Sequence, residues 1–280
     1  GPEGLGAWSR RARTSARRRS QGEGGVRRNR RTINCRNSPA WGTRMNQAAP
    51  LPSTIAIDGP AASGKSTIGH ALAQRLGYLY FDTGVVYRAV TWLALSRGVS
   101  VSDEATVAHL AQTVPIDVKA PAGATDGRRA PAGAGGDDVT WAVRQPQVEA
   151  NVSAISAYAS VREALKAQQR RIGHAGRVVM VGRDIGTVIM PDADLKIYLD
   201  ASLEERARRR CEEDWARGHS VSYQDVLAAM RRRDTYDSSR ATAPLRAAPD
   251  ARIVDSTHLS VSEVLDLILA LIADWQPAIA

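Results

Sequence analysis

Three groups of residues in this chain have types and spacings that could do chemistry. The first is Gly59-Pro60-Ala61-Ala62-Ser63-Gly64-Lys65-Ser66, with Thr67 after it, an instance of G-x-x-x-x-G-K-[ST]. Such glycines let backbone N–H groups close on the β- and γ-phosphates of a nucleotide, the lysine adds a point charge, and the hydroxyl that follows can ligate Mg2+. The second group is three short segments, 81–88, 181–184 and 233–240, which set Arg88 near Thr83, Arg183 beside Asp184, and Arg233 near Asp237 and Arg240. Arginines bind a monophosphate bidentately, and carboxylates accept from sugar hydroxyls or an exocyclic amine. The spacing of Arg233, Asp237 and Arg240 places them on one face of one helix, where surface ion pairing is the competing explanation. The third group is an arginine run, Arg206, Arg208, Arg209, Arg210 and Arg217, continued by Arg231 and Arg232. Interleaved Glu204, Glu205, Glu212 and Glu213 suit a solvated helix, whereas a phosphate loop elsewhere in the chain favours a mobile lid that keeps water from a triphosphate.

These groups need elements to hold them. Thr54 to Asp58 reads as a buried strand, and Ile68, Ala71, Leu72 and Leu76 mark the apolar face of a helix that Gly77 ends. Tyr78 to Phe81, Val178 to Val181, Leu195 to Leu199 and Ile253-Val254 read as further strands, with a helix running to Arg97 after the first of these. A last helix opens on the capping box Ser260 to Glu263. Strands separated by helices predict an α/β fold, a parallel sheet covered by helices on both faces, with the phosphate loop at the carboxyl end of its first strand. Two stretches interrupt the alternation: 98–143 and 203–233. Thirteen of the seventeen residues from Ala120 to Gly136 are Ala, Gly or Pro, a tract expected to form neither a helix nor a central strand.

The formal charge of +9 on 280 residues looks like a nucleic-acid signature until it is divided along the chain. Residues 1–45 hold twelve arginines against Glu3 and Glu23, a net of +10, which leaves −1 for the remainder. That segment has too little apolar sequence to fold by burial, and it lacks the apolar core of a secretory signal. Three explanations fit it: upstream or tag sequence ahead of Met45, a transit peptide, or a polybasic arm able to bind polyanions non-specifically. No apolar run is long enough to span a bilayer. Cys35 and Cys211 share no metal-ligand spacing, and a reducing, cytoplasmic compartment suits them.

Taken together, I-D-G-P-A-A-S-G-K-S (57–66), D-T-G-V-V-Y-R (82–88), V-R-E-A-L (161–165), G-R-D-I-G-T-V (182–188), R-D-x-x-D-x-x-R (233–240), A-P-L (243–245) and D-S-T (255–257) resemble the bacterial cytidylate kinases of the nucleoside monophosphate kinase family. The resemblance runs from about Ser53 to Asp274. It implies a P-loop core of residues 46–97 and 144–280 with an arginine-rich lid at about 203–233, and an inserted nucleotide-binding subdomain at 98–143. It implies ATP as donor, Mg2+ as cofactor and CMP or dCMP as acceptor. A monomer is expected, and the apolar runs and charge distribution point to neither a membrane nor a specific nucleic acid as partner.

Residue by residue, the resemblance assigns the cytosine to Ser153, Arg162 and Asp184, and the monophosphate and ribose to Thr83, Arg88, Arg183, Arg233, Asp237 and Arg240. Gly59 to Thr67 would hold ATP, Arg209 would reach it from the lid, and Lys65, Arg183, Asp184 and Arg209 would form the catalytic set. A carboxylate at Asp184 suits the N4 amine of cytosine and repels the carbonyl that uracil has there. One departure stands out: the family commonly has an acidic residue immediately before Gly-Arg-Asp, and this chain has Val181. Asp58 is then expected to serve the metal through water, with Ser66. A different P-loop kinase, for UMP, dTMP or shikimate, would share the loop and lid without the cytosine set, and a nucleotide-dependent RNA-binding protein would make use of the basic segment.

Overall fold

The computed structural model describes residues 50–118 and 132–277; the arginine-rich segment 1–45 and the centre of the Ala/Gly/Pro tract lie outside the described residues. Strand β1 (Thr54–Asp58) is buried at every position, so neither of its faces meets water. That explains why it reads as a continuous apolar run rather than an alternating one. It lies between β6 (Val178–Gly182) and β7 (Leu195–Asp200), pairing in parallel with both. With β2 (Leu79–Asp82) and β8 (Arg252–Asp255) outside them, the five-stranded order is β2-β6-β1-β7-β8, parallel throughout.

Local sequence sets the helices that flank this sheet. α1 (Lys65–Leu76) begins after Gly64 and ends at Gly77, both in left-handed conformations that glycine adopts without cost. α2 (Thr83–Ser96) is capped by the Asp82 side chain, which accepts from the Gly84 N–H at 2.9 Å. α8 (Val261–Ala273) opens on the capping box of Ser260 and Glu263 and buries Val264, Ile268 and Ile272, spaced four apart along one face. α5 (Ala159–His174) packs beside β6. Among the described residues no helix is long and apolar enough to cross a membrane.

Two local expectations need correction. β3 (Ile116–Val118), β4 (Ala132–Ala134) and β5 (Asp137–Asp138) form a second, antiparallel sheet, and β4, from the Ala/Gly/Pro tract, is its middle strand. Small side chains make this possible: Ala132 and Ala134 are 2% and 1% exposed where the strand meets α2. The Ala132 N–H finds an acceptor in Thr140 Oγ1 at 3.0 Å. The second correction concerns Arg240. Helix α7 (Tyr223–Ser239) stops one residue short of it, and Arg240 has φ −63° and ψ 141°. The chain turns back there, with the Leu245 N–H taking the Asp237 carbonyl at 2.8 Å, so Arg240 approaches Asp237 from beyond the helix end and not from the helix face expected.

Candidate active site

β1 delivers the chain into the phosphate loop through a backbone turn that only glycine fits. Gly59 has φ +151°, and a Cβ there would sit 2.0 Å from the Leu199 carbonyl oxygen of β7. Lys65, on the first turn of α1, folds back over the loop, donating to the Pro60 carbonyl and to Ser63 Oγ at 3.3 Å. Burial pushes its ammonium well below the ordinary lysine range, and the nearby Arg183 pushes the same way while Asp82 and Asp58 oppose. A group so placed gains from an anion set against it.

Asp58, expected to serve the metal through water, is held by the backbone. Its two carboxylate oxygens accept from the backbone N–H groups of Ile185 and Gly186, each at 2.7 Å. These donors begin the π-helical turn Ile185–Ile189, so Asp58 ties the end of β1 to the loop after β6 that carries Arg183 and Asp184. Burial raises the Asp58 carboxyl to about 7, against the pull of the two N–H donors. Because the folded value lies above the unfolded one of about 4, the native state keeps a proton that the unfolded chain gives up. The stability from this group is therefore full below about pH 4 and is lost as pH rises through about 7. Asp58→Asn is expected to flatten the melting-temperature profile between these limits. Equal slopes for wild type and variant would contradict that origin.

Beside the loop the structure gathers the acceptor-side arginines. Arg183 donates from Nε to Asp237 Oδ2 and from Nη1 to the Gly59 carbonyl, both at 3.0 Å, so one side chain joins the phosphate loop to α7. Arg240 lies 4.0 Å from Asp237 and donates to the Ala243 carbonyl. Arg88 donates to Glu149 at 3.0 Å, and Arg233 lies 3.5 Å from the other oxygen of the same carboxylate. Glu149 belongs to α4 (Pro146–Ile155); burial pushes its carboxyl up, but Arg88 and Arg233 overcome this and hold it below the usual range. Four guanidinium groups thus share two carboxylates. Arg233 Nε and Arg240 Nη2 are buried with no hydrogen-bond partner among the described residues. Buried donors are rarely left so without a role. Thr83 is placed differently from expectation: its hydroxyl donates inward to the Val181 carbonyl at 3.0 Å.

Behind this cluster, Arg162 of α5 forms a buried ion pair with Asp184, the two residues being 6% and 4% exposed. Arg162 also donates to the Ser156 carbonyl at 3.0 Å and lies 5.4 Å from the Tyr87 ring centroid, a cation–π arrangement. Ser153, one turn before Ser156 on α4, gives its carbonyl to the Ser156 hydroxyl at 3.1 Å. In α6 (Leu203–Ala216) the arginines diverge. Arg209 pairs with Glu205 at 2.8 Å and donates to the Ser256 side chain and carbonyl, at the end of β8. Arg206 is the one that reaches the phosphate loop, donating to the Ala61 carbonyl at 3.2 Å while held by Asp234 at 2.6 Å. Arg210 pairs with Asp214 at 3.1 Å.

A nucleotide-binding loop set against surplus guanidinium groups is the geometry of a phosphotransferase, and similarity to known proteins agrees. Residues 55–274 match the family model described as cytidylate kinase. The chain belongs to the cytidylate kinase family. It is 54% identical over 221 residues to a cytidylate kinase of Herpetosiphon aurantiacus, covering 79% of this chain and 94% of that protein. It is 49% identical to one of Roseiflexus castenholzii over 80% of this chain and 94% of that protein. For one of Bacillus licheniformis the figures are 44%, 78% and 95%. As a member of the cytidylate kinase family, the protein is a nucleoside monophosphate kinase, a phosphotransferase.

Within this cytidylate kinase framework, sequence reasoning missed Glu149, Tyr87 and Asp234, and it did not single out Arg206. Glu149 lies outside every motif, and its only local signal is an acid in the first turn of a helix. Arg206 was visible as one of a run of arginines, with nothing to separate it from Arg209. Tyr87 stands inside D-T-G-V-V-Y-R, where only the fold reveals that its ring meets Arg162.

Proposed function

We propose that the protein transfers the γ-phosphoryl group of ATP to CMP or dCMP, yielding ADP and CDP or dCDP. The observation that carries this reading is the cluster of Arg88, Arg183, Arg233 and Arg240 beside the phosphate loop, in which Arg233 Nε and Arg240 Nη2 are buried without an acceptor among the described residues. An anionic acceptor substrate would satisfy them.

The reaction needs no general base. A nucleoside monophosphate has a second pKa of about 6, so at neutral pH its phosphate is already a nucleophilic dianion. The demand on the protein is to bring two polyanions into line and to neutralise charge spread over the transferring group. Lys65 and the loop N–H groups act on the donor, and Arg88, Arg233 and Arg240 act on the acceptor. Arg183 touches both the loop carbonyl of Gly59 and Asp237, so it is best placed for the group in transit. The Ser66 hydroxyl, directed to Asp82 at 3.3 Å at the edge of the loop, fits Mg2+ with a nucleotide. The ion would add charge neutralisation at the donor phosphates.

For the base, Asp184 would accept from the N4 amine while Arg162 donates toward O2 or N3. The test is an ADP-release assay with CMP, dCMP, UMP, dTMP and shikimate in parallel, with products identified by 31P NMR. CDP and dCDP formed in step with ADP is the expected result. Turnover of dTMP or shikimate with none of CMP would overturn the assignment.

A further inference from the structure

Position 181 is the last but one residue of core strand β6, close to where P-loop enzymes often carry a carboxylate for the metal, yet here it is a valine that is 1% exposed. The fold places another carboxylate beside it. β2 is the neighbour of β6, and Asp82, the last residue of β2, lies opposite Val181 in the strand register. Its Oδ2 receives the Ser66 hydroxyl at 3.3 Å, and Ser66 follows Lys65 on the first turn of α1. Its Oδ1 is occupied separately, capping α2 through the Gly84 N–H at 2.9 Å.

The other carboxylates around the loop are committed elsewhere. Asp58 has both oxygens on backbone N–H groups, Asp184 is paired with Arg162, Asp237 with Arg183, and Asp234 with Arg206. Asp82 alone among these directs an oxygen at the loop hydroxyl.

We propose that Asp82 is the carboxylate of the Mg2+ site, acting with Ser66 in place of an acidic residue at 181. The proposal rests on the reading of the loop as a Mg2+–ATP site. Magnesium is commonly held by one or two carboxylates together with substrate phosphates, which is the donor set available here. A sign distinguishes this role from a structural one. Without a metal, a carboxylate beside a triphosphate repels it; with a divalent ion between them, the same carboxylate attracts the complex.

Asp82→Asn removes the charge and keeps the cap, because asparagine caps helices about as well as aspartate. Asp82→Ser, another capping residue, serves as a second variant. Calorimetric titration with a non-hydrolysable ATP analogue, with and without Mn2+, gives the affinity gained from the metal, and the EPR spectrum of bound Mn2+ gives a signature independent of turnover. In the variants, metal-free affinity should hold or tighten, while the gain from Mn2+ should fall by about 10- to 100-fold and the EPR spectrum should change. An unchanged gain and spectrum, or equal loss of affinity with and without metal, would overturn the role of Asp82 and leave the loop assignment standing. Failure of wild-type protein to bind the analogue under either condition would remove the assignment on which the proposal rests.

Discussion

Replacing Lys65 with methionine is expected to leave a folded protein whose kcat is lower by at least about a hundredfold. The expected loss follows from the ammonium's place over the loop, where charge would develop on a transferring phosphoryl group. Its fit to the folded protein alone is poor. Burial and Arg183 both disfavour its charge, so a neutral side chain of similar length removes a desolvation cost as it removes two hydrogen bonds, to Pro60 and Ser63. The melting temperature should therefore hold steady or rise while turnover collapses. That separation identifies a group whose binding energy is realised with substrate rather than in folding. Near-normal kcat in a variant with unchanged circular dichroism would remove Lys65 from the mechanism.

Asp184→Ala is expected to shrink the preference for CMP over UMP, chiefly by lowering kcat/KM for CMP, since the N4 amine loses its acceptor while the uracil carbonyl loses a repulsive neighbour. Stability must be separated from selectivity here. Removing one partner of the buried Arg162–Asp184 pair leaves an uncompensated charge, at a cost of about 3–5 kcal/mol. The double variant Arg162→Met with Asp184→Ala removes both charges. It should recover most of the melting temperature without recovering the preference. Recovery of selectivity together with stability would show that Asp184 acts only by holding the fold.

The parts of this architecture that could be read along the chain are those whose chemistry is contiguous. A phosphate loop needs its glycines, lysine and hydroxyl within eight residues because one turn of backbone wraps the phosphates. β1 was legible because both of its faces are buried, leaving an uninterrupted apolar run. The acceptor side was not legible from spacing alone. Arg88 and Glu149 are 61 residues apart, and Arg206 lies 145 residues from the Ala61 carbonyl it reaches. No periodicity encodes such contacts; for the base and phosphate residues the resemblance to a family supplied what spacing could not. β4 escaped notice because alanine and glycine carry no strand signal, and it forms where α2 and Thr140 supply the packing and the acceptor. The place of Asp58 at a strand end is visible in sequence, whereas the two backbone donors that hold it, from 127 and 128 residues away, are not.

The central claim, phosphoryl transfer to a cytosine nucleotide chosen through Asp184 and Arg162, is tested most directly by kcat/KM for CMP and UMP on wild-type protein with saturating Mg2+–ATP. A site built around the N4 amine leaves buried polar groups unpaired when that amine is missing, so CMP should exceed UMP by about a hundredfold or more. Equal efficiency for the two would contradict the base assignment and, with it, the account of this site.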